Sequence, residues 1–257
     1  MHVETLGDGR PRYTILACVH GDETCGWHAF NRFKASDAVL NEPVKFVLAN
    51  ERAFKLGYRF CDVDLNRVMP GDASSEKHEE RLAARLGQEL AGTTVLDIHS
   101  SESRKCPYAI VTGTDAPSRQ LARSTGLDRV VDMSYLPGGI TRSVTGVAVE
   151  CGYHDDEGAA TTAHRVLLHF LRAEGVVEGT ASRSSPTLFE VVGDAEGSGY
   201  TFVGENFQRV AEGEVYARKN GTVRRADAPF YPVLMSTHGY ADRIGFKAQH
   251  CGRIEAE

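Results

Sequence analysis

The chain has 257 residues, a formal net charge of −6 at pH 7 and 41% hydrophobic residues, enough apolar material to fill the core of a large α/β domain. That acidic balance argues against a nucleic-acid or anionic-membrane surface as the main partner, since either would need clustered Lys and Arg. No stretch approaches the ~18 apolar residues of a membrane span. The opening "MHVETLGDGR" also lacks the basic-then-apolar layout of a signal peptide, so a cytoplasmic location is expected.

Strand-like runs alternate with helix-like ones through the first two thirds of the chain. Residues 13–19 (YTILACV) read as a buried strand, and 23–40 follow with a helical pattern. Residues 44–50 (VKFVLAN) form a second strand, 74–90 (SSEKHEERLAARLGQEL) a charged amphipathic helix, and 93–99 (TTVLDIH) a third strand. YAIVTG, LARSTGL, GVAVE (146–150) and the helical TTAHRVLLHFLRAEG continue the alternation. Short apolar strands between amphipathic helices predict an α/β fold, a mostly parallel or mixed sheet with helices on both faces.

The small, polar EGTASRSSPT (178–187) reads as a boundary. Beyond it TLFEVV, GEVYARKNGTVRRA and YPVLMS are strand-like, and Asn220-Gly221 is a two-residue hairpin turn signal. The expected organisation is a catalytic α/β domain over 1–182 and a small β-rich C-terminal subdomain over 183–257. Six cysteines include no CxxC pair, so neither a zinc ribbon nor a thioredoxin-like motif is present.

Several ionisable residues fall at strand ends, where open α/β sheets bind their ligands. The first strand ends in His20, with Glu23 expected in the opening turn of the next helix. The third ends in DIHS, which places His99. GVAVE ends in Glu150, and the loop after VKFVLAN carries YRFCDVDLNR. Two imidazoles and a carboxylate with a free fourth position make the arrangement of catalytic zinc. Asp97, two residues before His99, shares its face of the strand and is placed to support it. An isolated HxxE or DxH is more often ordinary loop chemistry, so neither motif suffices alone.

Taken together, HGDETCG, RFCDVDLNRVMPG, DIHS and VAVECG resemble, in order and rough spacing, the aspartoacylase and succinylglutamate desuccinylase family of zinc carboxypeptidase-like amidohydrolases. The resemblance implies one Zn2+ per chain on His20, Glu23 and His99, with Glu150 as general base and acid. It implies that Arg59 polarises the scissile carbonyl and that Asn66 and Arg67 grip the carboxylate of the amino-acid half. Arg142 matches the arginine that reads an acidic side chain, and Tyr240 falls where a substrate-facing tyrosine is expected. Asp62 and Asp64 are placed to steady their loop by pairing with the arginines.

The implied activity is hydrolysis of a small N-acyl amino acid, an N-acylated aspartate or glutamate. A peptide-cleaving zinc carboxypeptidase and a non-catalytic metal or carboxylate binder remain alternatives. The expected partner is the small-molecule substrate, with a homo-oligomer possible in principle.

Overall fold

The computed structural model describes residues 1–101, 106–113, 115–153, 156–237 and 242–255, and the statements below concern these. In chain order the first elements are β1 (His2–Leu6), β2 (Tyr13–Ala17), α1 (Cys25–Lys34), β3 (Val44–Leu48), α2 (Glu51–Leu56) and α3 (His78–Leu90). They are followed by β4 (Thr94–Ser101), β5 (Tyr108–Val111), α4 (Ala116–Ser124), β6 (Arg129–Asp132), β7 (Gly146–Tyr153) and α5 (Glu157–Ala173). The rest is β-structure: β8 (Thr187–Glu196), β9 (Thr201–Phe202), β10 (Val215–Lys219), β11 (Thr222–Arg225), β12 (Tyr231–Val233) and β13 (Arg243–Arg253).

Ten of these strands form one mixed sheet in the order β1-β3-β2-β4-β7-β5-β6-β8-β13-β12. Its centre is parallel: β3, β2, β4 and β7 run together. All five residues of β2 are buried, as a strand covered on both faces requires. On one face α1 and α5 pack their apolar stripes, including Phe30, Phe33, Leu167 and Phe170, on Ile15, Phe46, Ile98 and Val149. On the other, Leu82, Leu86 and Leu90 of α3 cover Leu16, Val47 and Val95. The helices-on-both-faces expectation therefore holds.

A β-rich part follows α5 as expected. Its strand β8 pairs in parallel with β6, and β13 and β12 extend the same sheet. β9, β10 and β11 form a separate three-stranded sheet. In the β10–β11 hairpin Asn220 and Gly221 both adopt positive φ, 46° and 81°, which is the turn that the Asn-Gly pair favours. No helix among the described residues is long and apolar enough to cross a membrane.

Candidate active site

Strand ends and loops converge on a cleft of about 510 Å³. The chain leaves β2 through Cys18, whose φ of 54° is left-handed. That kink turns residues 19–23 over the end of the sheet rather than along it. Gly21 then lies against α2, where a Cβ would stand 2.3 Å from the Ala53 carbonyl carbon and the Phe54 nitrogen, so the approach requires glycine. The Gly21 N–H donates to the Arg59 carbonyl at 3.0 Å, joining this turn to the loop that carries Arg59. Because α1 begins only at Cys25, Glu23 sits in the turn before the helix.

His20, Glu23 and His99 are 3%, 4% and 4% exposed. Glu23 Oε1 lies 2.8 Å from His20 Nδ1, and Oε2 lies 2.8 Å from His99 Nδ1. Each far nitrogen meets an aspartate: His20 Nε2 is 3.0 Å from Asp64 Oδ1, and His99 Nε2 is 2.9 Å from Asp97 Oδ2. An ionised carboxylate only accepts, so each ring nitrogen that faces one carries a proton, and the Nδ1 atoms beside Glu23 are the ones that would give theirs up to a metal. Arg59 Nη1 donates to Glu23 Oε1 at 2.8 Å. With Nε2 of His20 protonated, the Arg59 Nη2 group 3.1 Å from it is a packing contact and not a second bond.

Burial opposes the charge on Glu23, but His20 and His99 outweigh it and hold the carboxyl well below its usual range. The group therefore stays anionic. Burial likewise opposes the charge on His99, and Asp97 with Glu23 outweighs it, raising the imidazole well above its usual range.

Glu150 stands beside His99 in the β4–β7 register. Its Oε2 is buried and without a hydrogen-bond partner, as is Asp97 Oδ1. Burial first, then the negative charge of Glu23, pushes the Glu150 carboxyl up to about 7. A group so poised can accept and return a proton near neutrality.

Two imidazoles and a carboxylate offer ligand atoms within 4.8 Å of one another. With buried orphan oxygens alongside, this donor set fits a zinc ion. Cys61, His78 and Glu79 also cluster. There, however, both Glu79 oxygens already accept two bonds each, from Cys61 N–H at 2.7 Å, Asn50 Nδ2 at 3.0 Å, Asp62 N–H at 2.9 Å and Val63 N–H at 3.2 Å. Glu79 is engaged in holding the loop. A second depression, about 620 Å³, is lined by residues such as Arg119, Gln120, Arg123 and Arg253, with no histidine.

Asn66 and Arg67 lie on a short 3-10 turn, Leu65–Arg67, where the Asn66 N–H donates to Asp64 Oδ1 at 2.8 Å. Asn66 Oδ1 accepts from Ile140 N–H at 2.9 Å, which pins the loop at 138–140 and leaves the Asn66 amide as donor. Arg67 lines the cleft and bonds to its neighbour's carbonyl at 3.1 Å.

Residues 10–136 match the family model for the succinylglutamate desuccinylase/aspartoacylase catalytic domain. Over this segment the chain belongs to that family. The matched span contains His20, Glu23, Arg59, Asn66, Arg67 and His99, and ends before Glu150. A search of curated proteins found no match.

Among solved structures, a succinylglutamate desuccinylase/aspartoacylase from Rhodobacter sphaeroides is similar in fold, with TM-score 0.77 and 17% identity over 97% of this chain and 89% of that one. An aspartoacylase family protein from Mesorhizobium loti gives TM-score 0.74 and 21% identity, covering 98% and 89%. Murine aminoacylase 3 gives 0.72 and 16%, covering 96% and 97%. The desuccinylase/aspartoacylase fold thus extends over nearly the whole chain, beyond the matched catalytic segment.

Not every residue expected at the site is brought together. Arg142 is exposed, is not part of the cleft lining, and donates to the carbonyls of Ser134 at 3.2 Å and Leu136 at 2.9 Å. Tyr240 lies outside the described residues. Asp64 holds His20 and keeps only a 3.9 Å contact with Arg59 Nη2, while Asp62 accepts from the His78 N–H at 2.6 Å.

Sequence reasoning missed a wall of the cleft formed by Ile110, Met133, Leu136, Leu234 and Phe246, and the nearby Arg243. Arg243 donates to Asp194 at 2.6 Å and to Asp242 at 2.9 and 3.2 Å. Leu234, Arg243 and Phe246 fall within YPVLMSTHGYADRIGF (231–246), a stretch that resembles the family's C-terminal segment, but no local pattern aims any of these residues at the cleft.

Proposed function

We propose that the protein is a zinc-dependent amidohydrolase that cleaves the amide bond of a small N-acyl amino acid, with one Zn2+ per chain on His20, Glu23 and His99. The observation that carries this reading is the single buried Glu23 carboxylate set between the Nδ1 atoms of two histidines, 2.8 Å from each, with an unpartnered Glu150 oxygen nearby. A cleft of about 510 Å³ suits a small ligand better than a peptide groove.

When bound, zinc supplies a Lewis acid and lowers the pKa of water from ~15.7 toward ~7. Glu150 takes the proton of the attacking water and hands it to the departing amine, one carboxylate serving both steps. Arg59, 46% exposed along its side chain and already ordered by Glu23, presents its remaining N–H groups where negative charge develops on the amide oxygen. Arg67 holds the substrate carboxylate through two parallel hydrogen bonds, a geometry that lysine would not reproduce. Asn66 adds a neutral donor beside it.

The test is a panel of N-acyl amino acids and a short peptide, assayed with the zinc-loaded protein, after chelation and after zinc is restored. Amide hydrolysis that disappears with chelation and returns with zinc is expected. Activity indifferent to the chelator contradicts the proposal.

A further inference from the structure

The cleft changes character from one side to the other. The sheet register runs from Asp97 on β4 to Ala148 on β7, Ile110 on β5 and Val131 on β6. Along that row polarity stops at Asp97. With strands ~4.8 Å apart, Ile110 stands ~10 Å from Asp97, the reach of a small acyl amino acid.

Met133, Leu136, Leu234 and Phe246 join Ile110 in lining this side. They belong to, or pack on, the apolar cluster built around Tyr108, Val131 and Phe189. Ile110, Leu136 and Leu234 are only half-buried, so the cluster presents an apolar face to the cleft.

Among the described residues the charges point the same way. An acidic side chain needs a cation of its own, because a carboxylate set against apolar surface without a partner is strongly disfavoured. Arg142 is not part of the cleft lining and directs its Nη1 to the carbonyls of Ser134 and Leu136. Arg243 lies between Asp194 and Asp242, a trio whose net charge is negative. Arg59 is held by Glu23.

Arg67 is the one arginine of the cleft with no carboxylate bonded to it among the described residues, and a single guanidinium serves a single carboxylate. Gly138 packs on the Arg67 stem, where an added Cβ would lie 3.1 Å from Arg67 Cδ. Leu136 is two residues earlier on the same loop. Leu136 is thereby within the cleft wall that the side chain of a substrate anchored by its α-carboxylate at Arg67 would meet.

We infer that the amino acid released by this site has an uncharged, apolar side chain, selected by the wall of Ile110, Met133, Leu136, Leu234 and Phe246. The inference rests on the hydrolase reading above and departs from the acidic side chain that the sequence resemblance implies.

It is tested by kcat/KM of the zinc-loaded protein on leucine, methionine and phenylalanine against aspartate, glutamate and lysine, each presented as the N-acetyl and the N-succinyl amide. A preference of about 100-fold or more for the apolar set is expected. Leu136→Ala should lower the leucine-to-glycine preference about tenfold, through KM more than kcat, and Leu136→Met should restore it. Leu136→Arg should raise turnover of the aspartate substrates relative to leucine.

Equal or faster hydrolysis of the aspartate, glutamate or lysine amides overturns this inference and leaves the hydrolase reading standing. A Leu136→Ala protein with unchanged preference also overturns it. Failure to hydrolyse any N-acyl amino acid, with zinc present, overturns both.

Discussion

Glu150 and Glu79 show how surroundings divide the work of one side-chain type. Glu150 has a buried oxygen that nothing satisfies and a carboxyl pushed up to about 7, first by burial and then by Glu23. Replacing it with glutamine should lower kcat by ~100-fold to ~10,000-fold while zinc content stays at one per chain, measured by steady-state kinetics and metal analysis of the same preparation. An unchanged kcat would remove Glu150 from the chemistry.

Glu79 is fully buried, but N–H donors of Cys61, Asn50, Asp62 and Val63 outweigh burial and hold its carboxyl down at about 2. A folded-state value below the unfolded one stabilises the native state above pH ~4.5 and loses that contribution as pH falls toward ~2. Glu79→Gln should therefore cost roughly 3 kcal/mol in denaturant unfolding at pH 7. Its deficit against the wild type should shrink through that acid window, and a pH-independent deficit would assign the effect to packing.

At the scale of elements, the site depends on close approaches more than on its ligands' own segments. Gly21 lets the turn after β2 press on α2, and Gly26 lets α1 start against β2 and β4, where a Cβ would stand 2.9 Å from the Ala17 side chain. Gly21→Ala should lower the melting temperature and weaken zinc binding together, because the same displacement moves His20 and Glu23. Calorimetry and zinc titration of that variant check both. Loss of stability with zinc affinity intact would separate the turn from the metal site.

Much of this arrangement is legible from sequence, because apolar runs that lead into His20, His99 and Glu150 announce a common rim, although β4 and β7 continue past His99 and Glu150 to Ser101 and Tyr153. The Asn220-Gly221 hairpin is legible for the same local reason: its turn chemistry lies within two residues. Long-range choices are not. The antiparallel course of β5 against β7 sets Ile110 beside Ala148, and no local pattern encodes that reversal. Whether Asp64 pairs with an arginine or with His20, and whether Arg142 enters the cleft or holds a neighbouring loop, depends on how loops cross in space.

For the whole molecule, the continuous sheet makes one site from distant parts of the chain. β8 and β13 extend the sheet past β6, so Leu234, Arg243 and Phe246 line the cleft that also contains His20 near the N-terminus. A ligand held only by the folded arrangement stabilises it by mass action, by ~4 kcal/mol at a thousandfold excess over its Kd. Zinc should accordingly raise the unfolding temperature of the entire chain, since the residues proposed to hold it lie in the turn after β2 and on β4 at the middle of the sheet.

The measurement that bears most directly on the central claim is zinc stoichiometry, by equilibrium dialysis of chelator-stripped wild-type protein beside the Glu23→Gln and His99→Ala variants. One zinc per wild-type chain, with binding weakened by two orders of magnitude or more in both variants, is the predicted result. Undiminished binding in either variant would contradict it.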